Sequence, residues 1–112
     1  MVDKLLEYVA PHLCCGCGKI GTLLCVDCKN DIINTPFTTC IVCERANSSG
    51  ICRLHSLPYT QAWVVGLRRG PLRRLIGGFK FRNMKAAARQ LADLLDARLS
   101  SLDPDTILVP IP

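Results

Sequence analysis

The fold of this chain is decided by the stretch from Cys14 to Cys28, which reads CCGCGKIGTLLCVDC. Two residues separate the cysteines of one pair, and a second pair with the same spacing follows after a gap of seven residues. A two-residue gap lets a tight turn direct both sulfur atoms to one point, and two such turns supply four corners of a tetrahedron. Such spacing is typical of zinc ligands. The predicted first ligand set is Cys14, Cys17, Cys25 and Cys28.

The same pattern recurs once, in residues 40–55, which read CIVCERANSSGICRLH. Here the gap between the pairs is eight residues, it contains a predicted loop at 47–50, and the last position is a histidine. Zinc accepts three thiolates and one imidazole in the same tetrahedral geometry. The alternative for this histidine is an ordinary polar surface residue beside an open fourth position. The predicted second ligand set is Cys40, Cys43, Cys52 and His55.

Eight cysteines in a short chain could also form a disulfide framework, which requires export to an oxidising compartment. Residues 1–13 do not resemble an export signal, because Asp3, Lys4 and Glu7 interrupt their short apolar stretch. We therefore expect a cytoplasmic protein with reduced thiols, in which paired cysteines favour metal binding. Cys15 lies outside the ligand pattern, and is either a small buried apolar residue or an alternate ligand.

Both predicted zinc sites have four protein ligands, whereas catalytic zinc keeps one position open for water or substrate. The sequence thus predicts two structural Zn²⁺ ions and no catalytic residue. Each such ion supplies about 10–16 kcal/mol, which would offset a core with few large side chains. The predicted core of residues 12–58 consists of Leu23, Leu24, Ile32, Ile33, Phe37, Ile41, Val42, Ile51 and Leu54.

The remaining segments show helical and strand patterns. Apolar residues recur at helical spacing in three places, with helices predicted at 3–10, from Gly70-Pro71 through Phe79, and at 83–102. In the helix that begins at Gly70-Pro71, one face carries Leu72, Leu75, Ile76 and Phe79, and Gly77-Gly78 is expected to weaken the end. In the helix at 83–102, Asn83 is the expected N-cap, and the apolar side consists of Met84, Ala87, Ala88, Leu91, Leu94, Leu95 and Leu99. Short β-branched and aromatic runs predict strands at 59–67 and 106–109. No apolar run approaches the ~18–20 residues of a membrane span.

Charge is distributed unevenly along the chain. The net charge is +5, yet no acidic residue lies between Glu44 and Asp93, a stretch that contains ten arginines and lysines. A basic block attracts polyanions such as phosphates or nucleic acid, although it could also be a solvated helix face. The candidate nucleic-acid or phosphate-binding residues are Arg68, Arg69, Arg73, Arg74, Lys80, Arg82 and Lys85.

The order of these motifs resembles the amino-terminal half of the ComF family. The two cysteine units are followed by Gly70–Ile76, by Phe79-Lys80-Phe81, by an Ala/Leu-rich helix and by Ile107–Pro112. The resemblance implies a small double zinc ribbon followed by the first helices and strands of an incomplete α/β domain of the type I phosphoribosyltransferase kind. It also implies a link to bacterial competence and DNA uptake, with single-stranded DNA and a helicase-like protein as partners.

The resemblance divides the chain into a helix at 1–11, the double zinc ribbon at 12–58, and the beginning of a phosphoribosyltransferase-like domain at 59–112. The family's loop for phosphoribosyl diphosphate, an acidic pair followed by Thr-Thr-Gly, would lie beyond Pro112. This chain is therefore not expected to bind that substrate or to act as an enzyme alone. An unpaired strand at 106–109 would favour self-association. The alternative is a stand-alone zinc-ribbon module that binds nucleic acid or a protein.

Overall fold

The computed structural model describes residue 5 and residues 11–99 and 101–111. These residues contain three helices of eight or more residues, α1 (Val26–Ile33), α2 (Gly70–Phe81) and α3 (Ala86–Arg98). The predicted helix at 3–10 lies outside the described residues except for Leu5, which is helical and exposed. The first cysteine unit therefore runs into the beginning of α1, and the second lies between α1 and α2.

Helix α1 begins inside the first cysteine unit, a feature that the sequence pattern did not predict. Cys25 is its N-cap, and the sulfur of that residue accepts a hydrogen bond from the backbone N–H of Cys28 at 3.5 Å. Asp27 in the first turn is favourable beside the positive end of the helix dipole. Its eight residues are too few to show a clear 3.6-residue period, which explains why the helix escaped prediction.

Helix α2 confirms the predicted apolar face and begins, as expected, with a proline in its first turn. Leu72 and Leu75 are buried, whereas Phe79 is 45% exposed. The helix continues past its glycine pair to Phe81, and Gly78 is buried against Met84, whose side chain occupies the space beside it. The expected weakening of this end stays a prediction.

Helix α3 is shorter at both ends than the predicted 83–102. Asn83 has a φ of 53°, a left-handed conformation that turns the chain between α2 and α3, so it cannot serve as the predicted N-cap. The N-cap is Lys85 instead, and the chain becomes extended at Leu99. The buried residues of α3 are Ala87 and Leu94, both of which belong to the predicted apolar side.

The main core joins the first cysteine unit to α2 and α3. Its buried members are Cys14, Leu23, Leu24, Cys25, Leu72, Leu75, Ala87 and Leu94. One cluster thus takes residues from both sides of the boundary predicted at residue 58, which itself stays a prediction. Of the core predicted for residues 12–58, Leu23, Leu24 and Ile51 are buried, but Ile41, Val42 and Leu54 are exposed.

The two predicted strands do not form in the described part of the chain. Residues 59–67 and 106–109 have no strand assignment, and the β bridges among the described residues are two isolated ones within the cysteine units. A strand needs a partner to be stable, and neither segment pairs with another strand among the described residues. The side chains of Ile107, Leu108 and Val109 are at least 80% exposed. The α/β part of the predicted fold is therefore not confirmed.

No helix among the described residues combines the length and the apolar character that crossing a membrane requires.

Candidate metal centres

The first cysteine pair lies on a tight hairpin. An antiparallel bridge joins Leu13 to Ile20, the N–H of Cys14 donates to the carbonyl of Lys19 at 2.9 Å, and the N–H of Gly18 donates to the carbonyl of Cys14 at 3.0 Å. Gly18 has a φ of 79°, the left-handed conformation that glycine adopts without steric cost. The hairpin brings the sulfur atoms of Cys14 and Cys17 within 4.8 Å of each other, as the spacing predicted.

The second cysteine pair lies on a hairpin with the same hydrogen bonds at corresponding positions. A bridge joins Thr39 to Ala46, the N–H of Cys40 donates to Arg45 at 2.8 Å, and the N–H of Glu44 donates to Cys40 at 3.0 Å. Glu44 takes the place of the glycine and keeps a positive φ of 60°. A non-glycine residue adopts this conformation only where its surroundings impose it. The sequence repeat is therefore also a structural repeat.

The four predicted ligands of the first site converge. The sulfur atoms of Cys14, Cys17, Cys25 and Cys28 all lie within 4.8 Å of one another. Cys17 and Cys25 are 3.7 Å apart, sulfur to sulfur. A tetrahedral zinc ion with bonds of about 2.3 Å would place its sulfur ligands about 3.8 Å apart. The first pair comes from the hairpin and the second from the beginning of α1.

The second site brings together three sulfurs and one imidazole. Ligand atoms of Cys40, Cys43, Cys52 and His55 lie within 4.8 Å of one another, and the sulfurs of Cys43 and Cys52 are 3.5 Å apart. A turn replaces the helix of the first site, with the N–H of His55 donating to the carbonyl of Cys52 at 3.3 Å. The structure therefore favours the ligand interpretation of His55 over the surface interpretation.

One polar atom of the second site is buried without a partner. Among the described residues, Nε2 of His55 is the one buried side-chain nitrogen or oxygen that makes no hydrogen bond. Leaving such a group unsatisfied costs free energy, and buried polar atoms nearly always find a partner. A metal ion bound by the surrounding sulfurs would satisfy it, so the donor set fits zinc.

The hydrogen bonds of the first site lower the pKa of one cysteine, Cys14, and raise the pKa of another, Cys28. Burial raises the pKa of Cys14, but hydrogen bonds from the backbone N–H groups of Cys25, Cys17 and Gly16 together lower it by more. The resulting pKa is about 6. Hydrogen bonding to Cys25 and then to Cys14 raises the pKa of Cys28 to about 12. The thiol proton of Cys28 would thus lie between sulfur acceptors until a cation replaces it.

The second site repeats the lowered pKa at the corresponding cysteine, Cys40. Burial raises the pKa of Cys40, yet the N–H groups of Cys43, Cys52 and Val42 outweigh it and lower the pKa to about 6. The pKa of Cys52 is raised: the Leu54 N–H lowers it, but burial and the sulfurs of Cys43 and Cys40 have the larger combined effect. In each site the first cysteine of the hairpin is therefore prepared as a thiolate, the form that binds metal.

Both sets of ligands close the coordination sphere, so the two sites can hold two zinc ions in a structural role. Cys15 joins neither set. Its side chain is half-buried and packs against the main core, and burial, followed by the Cys14 charge, raises its pKa. These contacts favour the apolar interpretation of this cysteine.

Comparison with known proteins gives no relative. No protein-family model, curated protein or solved structure matches this chain. The resemblance to the ComF family consequently depends on the sequence motifs alone.

The structure separates the predicted basic residues into groups. Arg68, Arg73, Arg74 and Arg82 line one shallow cavity of about 480 Å³, and Arg69 lines a different, larger groove of about 1110 Å³. Lys80 and Lys85 are exposed and line neither. The structure thus brings four of the seven candidates together, and their binding role stays a prediction.

Two residues that support the sites were missed at the sequence level. A Cβ atom at Gly16 would lie 2.5 Å from the sulfur of Cys28 and 3.2 Å from Pro71, so only glycine fits between the first site and α2. Arg98 donates hydrogen bonds to the carbonyls of Ile32 and Thr35 at 2.8 and 3.2 Å, and so completes the end of α1. A glycine between paired cysteines was visible in the sequence, but the neighbour that requires it was not.

Proposed function

We propose that this chain is a structural module for two zinc ions, forming the amino-terminal half of a ComF-like protein of the phosphoribosyltransferase family. In this proposal the module serves DNA uptake in the cytoplasm by binding single-stranded DNA, or a helicase-like protein, through its basic surface. Its zinc ions hold the fold together and take no part in a reaction.

The observation that carries the zinc role is the convergence of four ligands at each of two equivalent hairpins. The unpartnered Nε2 of His55 supports it independently, because no other group nearby satisfies that atom. The link to DNA is supported by the ten basic residues between Glu44 and Asp93. The link to the ComF family is supported by the order of the motifs.

A stand-alone zinc-ribbon module is the second candidate. It is favoured by the single buried cluster that the first cysteine unit shares with α2 and α3, because residues that share a core fold together. Intact mass of the natural product, together with its reading frame beyond Pro112, distinguishes the two candidates. A product that contains an acidic pair followed by Thr-Thr-Gly supports the ComF-like protein, and one that ends near Pro112 supports the stand-alone module.

Zinc binding is tested by single cysteine variants. Cys17→Ser and Cys43→Ser should each lose one zinc ion, whereas Cys15→Ser, a matched change beside the first site, should keep both. Zinc per chain is measured by native mass spectrometry and by elemental analysis. Loss of zinc in Cys15→Ser, together with retention in Cys17→Ser, would contradict the assigned ligands.

DNA binding is tested by the salt dependence of affinity for a short single strand. Each phosphate contact contributes a slope of about −0.7 in the logarithm of affinity against the logarithm of salt concentration. A steep slope supports a nucleic-acid surface. Absence of binding at low salt by the zinc-loaded chain would refute this part of the proposal.

A further inference from the structure

A cavity follows one face of α2. Arg73, Arg74, Gly77 and Phe81 line it, and the spacing of three and four residues places them on neighbouring turns of the same side. Arg68 from the preceding segment, Gly70 at the first position of the helix and Arg82 just after its end complete the lining. Its volume of about 480 Å³ falls within the range of about 300–1,000 Å³ that is typical of small-ligand sites.

The charge of this cavity is uncompensated within the described part of the chain. Four guanidinium groups line it and no carboxylate does, and the one ion pair among the described residues joins Lys29 to Asp93 instead. Guanidinium groups so close together repel one another, and an anion between them removes that repulsion. Because arginine presents its donors as a planar fork, the lining fits an oxyanion such as phosphate.

One of the four arginines is already held in place. Nη1 of Arg74 donates a hydrogen bond of 2.7 Å to the carbonyl of Cys15, on the hairpin of the first metal site. This bond uses one donor of the guanidinium and leaves others free for a ligand. The first cysteine unit thus positions part of the cavity wall.

An exposed aromatic ring, Phe81, and a glycine without neighbouring atoms, Gly77, lie beside the arginines. Phe81 is 77% exposed, so a large apolar ring surface lies in water beside the arginines. Gly77 lies mid-helix, and a Cβ atom built there would meet no other atom within 4 Å. The missing side chain therefore leaves open space beside this part of the cavity lining.

From these features we infer that the cavity binds one nucleotide unit of a single strand, with its phosphate between the arginines and its base stacked on Phe81. Bases of every kind stack on an exposed ring, so this site would be tolerant of sequence. The inference rests on the proposed function and narrows it. Arg68, Arg73, Arg74 and Arg82 form the site, whereas Lys80 and Lys85 supply only general attraction.

The decisive comparison uses two double variants that remove equal charge. Arg68→Gln with Arg73→Gln alters the cavity, and Lys80→Gln with Lys85→Gln alters the exposed surface outside it. The probe is a ten-nucleotide single-stranded DNA with a fluorescent label at its 3′ end, followed by anisotropy on zinc-loaded protein. The cavity variant should lose at least tenfold more affinity than the surface variant. Equal losses would overturn the inference while the proposed DNA binding stands.

Substitutions of Phe81 and Gly77 test base stacking and the open space beside the helix without changing the charge of the cavity. Phe81→Leu should weaken binding by roughly 5- to 150-fold, because stacking contributes about 1–3 kcal/mol per base. Gly77→Leu should also weaken binding, whereas Ala92→Leu, at an exposed position of α3, should not. Zinc content and melting temperature of each variant show that it is folded. Unchanged affinity in both Phe81→Leu and Gly77→Leu would overturn the inference.

Failure of the broader proposal has a different signature. If the zinc-loaded wild-type chain does not bind the ten-nucleotide probe at low salt, both the proposed DNA binding and the nucleotide site are refuted. If the wild type binds and only the cavity variants lose affinity, both are supported.

Discussion

Replacement of Gly16 by alanine should selectively disable the first metal site. The new Cβ would lie 2.5 Å from the sulfur of Cys28, about 0.9 Å short of the 3.4 Å at which ordinary contact begins. It cannot move away freely, because Pro71 lies 3.2 Å from it. Metal sites hold ligand distances within about 0.2 Å, so a displaced sulfur cannot bind well.

The size of the effect follows from the same geometry. Changes to residues that only support ligands lower metal affinity about 10–100-fold. Gly16→Ala displaces a ligand directly, so the expected loss lies at or above 100-fold, or about 2.7 kcal/mol. The corresponding residue of the second hairpin is Val42, which is 52% exposed. Val42→Ala is therefore the matched control and should bind metal like the wild type.

The assay is a cobalt titration followed by absorbance, with zinc added in competition. Each site is observed alone by placing the Gly16→Ala or Val42→Ala change in a background that lacks the other site through a Cys→Ser substitution. The reasoning would be refuted if Gly16→Ala bound cobalt and zinc at the first site as tightly as the wild type. It would also be refuted if both alanine variants lost affinity to the same extent.

Further predictions concern the fold and the thiols. Arg98→Ala should lower the free energy of unfolding of the zinc-loaded chain, measured in urea, by about 2–3 kcal/mol, because the carbonyls of Val65, Ile32 and Thr35 lose a charged donor. Arg89→Ala on the same helix should change this free energy little, and equal effects of the two variants would count against the assigned contacts. Leu75→Ala should lower the free energy of unfolding by about 3–5 kcal/mol, because the Leu75 side chain is fully buried. Leu95 is 42% exposed, so Leu95→Ala should lower it much less. A small loss for Leu75→Ala would contradict the assigned core. Zinc affinity should fall as pH falls, since protons compete for the thiolates. The Cys28 thiol, with a pKa of about 12, should release its proton on metal binding, which calorimetry in buffers of different ionisation enthalpy detects; zinc uptake without proton release would contradict the assignment.

The metal ligands could be predicted from the sequence because their geometry is local. A two-residue gap brings the two ligands of a pair together on one local turn, whether a hairpin or the start of a helix, and the structure places all eight predicted ligands in two groups. Helix α2 was predictable for a similar reason, since Leu72 and Leu75 repeat at helical spacing and both are buried.

Helix α1 escaped prediction for a local reason, since it is short and its N-cap, Cys25, was interpreted only as a ligand. The other missed features depend on neighbours that are distant along the chain. The strands at 59–67 and 106–109 were predicted from composition, but β structure depends on pairing, and the described residues offer no partner. The cavity of four arginines required knowing that Arg68 and Arg82 lie beside the face of α2.

Zinc stoichiometry tests the central claim most directly. Native mass spectrometry of the chain, purified under reducing conditions, should show two zinc ions, and His55→Ala should show a weakened second site while the first stays occupied. If a chelator removes both zinc ions and the chain then unfolds, the result would agree with the structural role. A folded chain without metal, or one whose cysteines are paired in disulfides, would contradict it.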